Sequence, residues 1–268
     1  MCGIGSTAGR LAWRKRLLPL GDGAIRKEVC DMLKIEHLTK TFDDKTAVDD
    51  LSLRIAPGEV YGFVGHNGAG KTTTIKCAVG IMAFDRGKIA IDGHSVKDEP
   101  VACKRELAYI PDNPDLYDYM TGAKYLNFLA DVFGVDSATR EAIIRPLADK
   151  FELTSELGQP IATYSHGMKQ KLAIIGAWAH SPKLILMDEP FVGLDPLASK
   201  LLKDMMREHC DKGGAILFST HVLDVAEKIC DKIAIIKAGR LLRSGTMDEV
   251  KGDESLEEVF LELVESEA

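Results

Sequence analysis

The sequence predicts an α/β protein, with a mixed sheet and flanking helices, an N-terminal antiparallel β region and an inserted helical subdomain. Three observations predict it. Strand patterns come early ("LKIEHLTKTF", "LSLRIAPGEVYGFVG") and return late ("LILMDEP", "AILFST", "KIAIIKAG"). Between them, over about 116–180, the chain reads mostly as helices. One strand also runs directly through a glycine-rich turn into a helix, as α/β domains built around one core do.

"LKIEHLTKTF" alternates apolar and polar residues, the period of a half-buried strand. "LSLRIAPGEVYGFVG" supplies a second strand, a Pro57-Gly58 turn and a buried strand ending at Gly65. "KTTTIKCAVGIM" follows as a helix with Ile75, Val79 and Met82 on one side, and "GKIAIDG" is a glycine-bounded strand. "AKYLNFLADVFGV", "REAIIRPLADKFEL" and "GMKQKLAIIGAWA" form the helical insertion. After the returning strands, "SLEEVFLELV" carries apolar residues at helical spacing and reads as a short amphipathic helix. No internal repeat occurs, so the domain is present once.

The 268 residues suffice for one large α/β domain with a full core, and 46% hydrophobic with 28% charged residues is ordinary for a globular protein. A formal charge of −7 argues against non-specific nucleic-acid binding, which needs a basic surface. Cys2, Cys30, Cys77, Cys103, Cys210 and Cys230 stand singly, with neither a CxxC pair nor zinc-ligand spacing, so they read as reduced thiols. No apolar run approaches the roughly 20 residues of a membrane helix, so a membrane role would work through a partner.

The leading segment, residues 1–31, shows neither periodicity. Arg14-Lys15-Arg16 followed by "LLPL" is too short and too interrupted for a signal peptide. Lys27-Glu28-Val29 can be encoded by a stretch containing a bacterial ribosome-binding sequence, a short spacer before Met32. The segment is therefore expected to be a disordered tail or an upstream extension, with translation starting at Met32. The domain proper is expected over 32–268.

Gly65-His66-Asn67-Gly68-Ala69-Gly70-Lys71-Thr72 fits G-x-x-x-x-G-K-[ST], with a strand before it and a helix after it. The glycines let successive backbone N–H groups curl around phosphates, and the helix start adds its dipole. Lys71 is expected to bridge the β- and γ-phosphates and Thr72 to offer a hydroxyl to Mg²⁺, with Thr73 completing the loop's contacts. "LILMDEP" adds a buried strand ending in Asp188, placed to hold the magnesium, and Glu189, placed to polarise an attacking water as general base. These residues define a P-loop nucleoside triphosphatase.

A further stretch, "YSHGMKQ" from Tyr164 to Gln170, has the chemistry of a second anion-binding helix start. With "GLDP" at Gly193 to Pro196 and "STH" at Ser219 to His221, the ordered set resembles the ATP-binding cassette (ABC) ATPases. The resemblance covers essentially Met32 to the end. "YSHGMKQKL", "DEPFVGLDP" and "SLEEVFLEL" look most like single-cassette bacterial exporter ATPases, which work with a separately encoded integral-membrane permease.

The resemblance implies ATP and Mg²⁺ as ligands, and a head-to-tail dimer in which each signature helix caps the partner's nucleotide. Ser165, Gly167 and Gln170 belong to the signature acting in trans; His221 contacts the γ-phosphate, Asp195 couples the two sites, and Phe42 stacks on adenine. Phe42 also reads as plain core. A dimer of cassettes on the cytoplasmic face of the plasma membrane follows, expected as a homodimer although a different partner cassette would fit as well, with no nucleic-acid partner. Open alternatives are a cassette that regulates a membrane protein without pumping and one that acts on ribosomes. A kinase or GTPase would leave the signature unexplained.

Two positions depart from the family pattern. Asp112 in "YIPDNPDLY" stands where the family usually carries a Gln reaching the magnesium and the water. It is a candidate metal and catalytic residue, and alternatively a turn cap. In the signature, His166 and Met168 replace a Gly and a Gln, while Ser165 and Gly167 keep the groups that face phosphate.

Overall fold

A computed structural model of the chain describes residues 31–265. The expected leading extension lies outside the described residues except for Asp31. The chain opens with a hairpin of β1 (Leu33–Phe42) and β2 (Lys45–Ile55), paired antiparallel from Leu33↔Ile55 to Phe42↔Lys45. After β3 (Val60–Val64) and α1 (Lys71–Ala78), β4 (Arg86–Ile91) and β5 (His94–Ser95) join the hairpin in the order β2-β1-β4-β5. The alternation of β1 slips at His37, whose φ is 52°, and the register shifts between Ile35 and Leu38. This bulge is why Ile35 and Leu38, three apart, are both fully buried.

Next come α2 (Pro100–Glu106), β6 (Leu107–Ile110) and three helices: α3 (Gly122–Val132), α4 (Ser137–Lys150) and α5 (His166–Trp178). Each of the three starts on a side-chain cap: Thr121 accepts from the Lys124 N–H, Asp136 from Ala138 and Thr139, and Ser165 from Met168. The chain closes with β7 (Leu184–Asp188), α6 (Pro196–Asp211), β8 (Ala215–Thr220), α7 (Leu223–Ile229), β9 (Lys232–Lys237), β10 (Arg240–Thr246), α8 (Met247–Lys251) and α9 (Leu256–Glu265).

The second sheet has the order β10-β9-β3-β8-β7-β6. Pairs β9/β3, β3/β8, β8/β7 and β7/β6 are parallel, and β10 is an antiparallel edge, so the sheet is mixed as the sequence predicts. Its inner strands are buried on both faces, and their period-2 alternation divides the core in two. Leu184, Leu186, Leu217 and Phe63 face the antiparallel sheet and α1. Ile185, Met187, Ile216 and Phe218 face α5, α6 and the C-terminal helices.

The helix after the glycine-rich turn is shorter than its sequence pattern. It ends at Ala78, because Gly80 (φ 72°) turns the chain, and Met82 packs beyond the helix at the edge of the core.

Candidate functional site

The glycine-rich turn joins β3 to α1 at the C-terminal edge of the parallel strands, beside the ends of β7 and β8. Gly70, at the helix start, has φ 106°, and a Cβ there would stand 2.5 Å from the Ala47 carbonyl oxygen. Only glycine fits that position. Gly65 and Ala69 are buried behind the loop, while His66, Asn67 and Gly68 are exposed along its rim, where N–H groups can meet an anion. A Cβ on Gly68 would meet nothing within 4 Å, so the mouth of the cradle is open. The His66 ring is not idle: it packs edge-on against Phe260 of α9, with centroids 4.9 Å apart.

Lys71 is only 6% exposed and lies across the loop, its ammonium donating to the carbonyls of Gly65 (2.5 Å) and His66 (3.2 Å). Burial lowers its pKa, against the opposing pull of Glu189 and Asp188. Thr72 and Thr73 are half-buried on the first turn of α1, and Thr74 turns inward to donate to the Gly70 carbonyl.

Asp188 ends β7, fully buried, and pairs in register with Ser219 at the end of β8. The Ser219 hydroxyl donates to Asp188 Oδ1 and accepts from the Glu189 N–H at 3.0 Å. Sequence reasoning picked out His221 in this strand end and missed Ser219. The available signal was a hydroxyl closing an otherwise apolar buried strand. Glu189 takes a left-handed backbone (φ 46°), which swings its carboxylate toward Lys71 Nζ (3.7 Å) and His221 Nδ1 (2.9 Å). Lys71, Asp188, Glu189, Ser219 and His221 are thus one connected cluster.

Asp188 Oδ2 is buried with no hydrogen-bond partner, an acceptor that a divalent cation beside Thr72 would satisfy. Among the described residues no group of three or more His, Cys, Asp and Glu could hold a metal ion. The donor set therefore fits a cation sharing phosphate oxygens and waters, as Mg²⁺ does with nucleotides, rather than a protein cage. Asp112 is exposed after β6, with one oxygen accepting from the Asn113 N–H at 2.8 Å, as a turn cap does. Phe42 is 43% exposed with the Lys40 ammonium 4.8 Å from its ring centre, so it belongs to neither core.

The signature stretch forms the start of α5. The Ser165 oxygen accepts from the Met168 N–H at 3.2 Å as N-cap, leaving its O–H proton to donate outward. A Cβ on Gly167 would stand 2.6 Å from the Gly193 carbonyl oxygen, and one on Gly193 would meet the His166 ring at 2.4 Å. The two segments therefore touch through backbone. Asp195 caps α6 by accepting from the Ala198 N–H (2.8 Å) and pairs with Lys171 of α5 (2.7 Å), which holds its carboxyl below the usual range.

Gln170, which the signature resemblance assigns to contacts in trans, is fully buried within this chain and donates to the Pro190 carbonyl at 3.2 Å. One turn into α5, it faces inward and fastens the signature helix to the segment that follows Glu189.

A phosphate loop, a buried lysine across it, and a carboxylate pair at the end of the adjacent strands define a phosphate-loop nucleoside triphosphatase. The family follows from comparison with known proteins. Residues 48–192 match the family model described as ABC transporter. The chain is 34% identical over 242 residues to the ABC-type transporter ATP-binding protein EcsA of Bacillus subtilis (strain 168), covering 88% of this chain and 98% of that one. It is 33% identical over 213 residues to the Nod factor export ATP-binding protein I of Paraburkholderia xenovorans (strain LB400), 80% of this chain and 70% of the relative. A solved structure described as the ATP binding subunit of an ABC transporter superposes with a TM-score of 0.84 at 38% identity, covering 87% of this chain and 99% of that one. The chain belongs to the ABC transporter family: it is an ABC ATPase, an ATP-binding subunit of the transporter type. Among the described residues no helix is long and apolar enough to cross a membrane.

Proposed function

We propose that this chain is the ATP-hydrolysing subunit of an export-type transporter, acting as a head-to-tail homodimer on a separate integral-membrane permease at the cytoplasmic face. The observation that carries the ATPase part is the connected cluster of Lys71, Asp188, Glu189, Ser219 and His221 beside an open phosphate loop. The export assignment is supported by the likeness to a relative named for Nod factor export and by the exporter-like "YSHGMKQKL" and "SLEEVFLEL".

In this reading Lys71 exchanges its two carbonyl partners for the β- and γ-phosphates of ATP, and the loop N–H groups hold the remaining oxygens. Thr72 and Asp188, with Asp112 as a further candidate, would hold Mg²⁺, which when bound would neutralise charge on the phosphates. Glu189 accepts the proton of the attacking water, and His221, 2.9 Å away, keeps that carboxylate and the water in line. Phe42 offers its exposed face to adenine. Ser165 and the Gly167 N–H donate to the γ-phosphate of the opposite subunit, so ATP joins the two chains and its hydrolysis releases them.

The test is recovery of the tagged chain from membranes of its native host. A multi-span membrane protein that copurifies and stimulates ATP hydrolysis in vesicles is expected. Recovery on ribosomes, or with a membrane protein that moves no solute, would overturn the export assignment.

A further inference from the structure

Among the described residues, Asp188 Oδ2 is one buried polar atom without a partner, and the Tyr109 hydroxyl oxygen is another. They are neighbours by construction. β6 and β7 run parallel with Tyr109 opposite Leu186, and Asp188 lies two residues beyond Leu186 on the same face of the sheet. Tyr109 and Asp188 thus project from the same face of adjacent strands, one pleat repeat apart along the strand direction. The Tyr109 ring packs against the same core as Leu184 and Leu186, beneath α1. A buried O–H with no acceptor is costly, as is a carboxylate oxygen with no donor, and these two lie on one face of neighbouring strands.

Building on the reading of Asp188 as a cation ligand, we propose that Tyr109 is a positioning residue whose O–H donates, directly or through one water, to the free oxygen of Asp188. The bond fixes the carboxylate in the orientation a divalent cation needs.

Tyr109→Phe removes one oxygen and leaves the ring, so folding is not at risk. The probe is Mn²⁺ in place of Mg²⁺, its binding to the full chain in the presence of ADP followed by electron paramagnetic resonance. ATP affinity in EDTA and the melting temperature are measured alongside. Mn²⁺ affinity should fall about tenfold, the effect of one hydrogen bond to a charged group. ATP affinity in EDTA should be unchanged. Unchanged Mn²⁺ affinity in Tyr109→Phe, while Asp188→Asn weakens it, would overturn the role of Tyr109 and leave that of Asp188 standing. Unchanged affinity in both variants would overturn both. A lower melting temperature with unchanged Mn²⁺ affinity would make the hydroxyl purely structural.

Discussion

Gln170→Ala separates the two roles that the signature stretch offers for this residue. Gln170 is fully buried and donates to the Pro190 carbonyl at 3.2 Å, immediately after Glu189. Truncation leaves that carbonyl unpaired, costing about 1–3 kcal/mol, and opens a cavity, costing roughly 1–2 kcal/mol more. Part of this is offset, because Gln170 Oε1 is already buried without a partner and its removal costs nothing. The net expectation is about 2–3 kcal/mol. For a chain of this size that lowers the melting temperature by roughly 4–12 °C. Gln170→Met keeps the volume and loses only the bond, so it should cost about 1–2 kcal/mol. Urea titration and thermal melting read both values. A Gln170→Ala protein that melts like the wild type but no longer dimerises in ATP would refute the inward role and restore the contact in trans.

Ser165 has two duties that substitution can split. Ser165→Asp preserves the N-cap of α5 but sets a negative charge against the partner's phosphate; it should keep stability within about 0.5 kcal/mol while abolishing ATP-driven dimerisation, read by size-exclusion chromatography. Ser165→Ala should cost about 1 kcal/mol from the lost cap and lower turnover more than single-chain nucleotide affinity. Acid stability is set partly by His180 and His209, whose pKa values burial depresses. The unfolded chain binds these protons near pH 6.5 and the folded chain only at lower pH. Their contribution is therefore complete above pH 6.5 and lost as pH falls below it, with a slope of up to about 1.4 kcal/mol per pH unit for each. Urea midpoints between pH 7.5 and 5.5 should show this slope, and a His180→Gln, His209→Gln double variant should flatten it; an equal slope in the variant would refute the assignment.

What the sequence made legible was the part of the molecule written in strong local patterns. The alternating and buried strands, the phosphate loop between β3 and α1, and the carboxylate pair ending β7 all rest on periodicity or on a motif in its confirming context. What it concealed depends on contacts distant along the chain. Ser219 orders both carboxylates only because β7 and β8 pair in parallel register. Gly167 carries no side chain because the Gly193 carbonyl comes against it, 26 residues on in the sequence. Gln170 looks like part of an anion site on paper, yet helical phase turns it inward. α1 stops early because a left-handed Gly80 outweighs a run of apolar residues that continues the helical pattern. Roles that need a second molecule, for Ser165, Asp195 and Phe42, are written in no intrachain contact at all.

The shared-nucleotide dimer is tested most directly by Glu189→Gln. The substitution keeps the side chain's shape beside Lys71 and His221 and removes the base, so ATP should bind and persist. Sedimentation of this variant should give a dimer in ATP with Mg²⁺ and a monomer in ADP, with Ser165→Asp in the same background returning the ATP form to monomer. A Glu189→Gln chain that stays monomeric with ATP bound would contradict the homodimer.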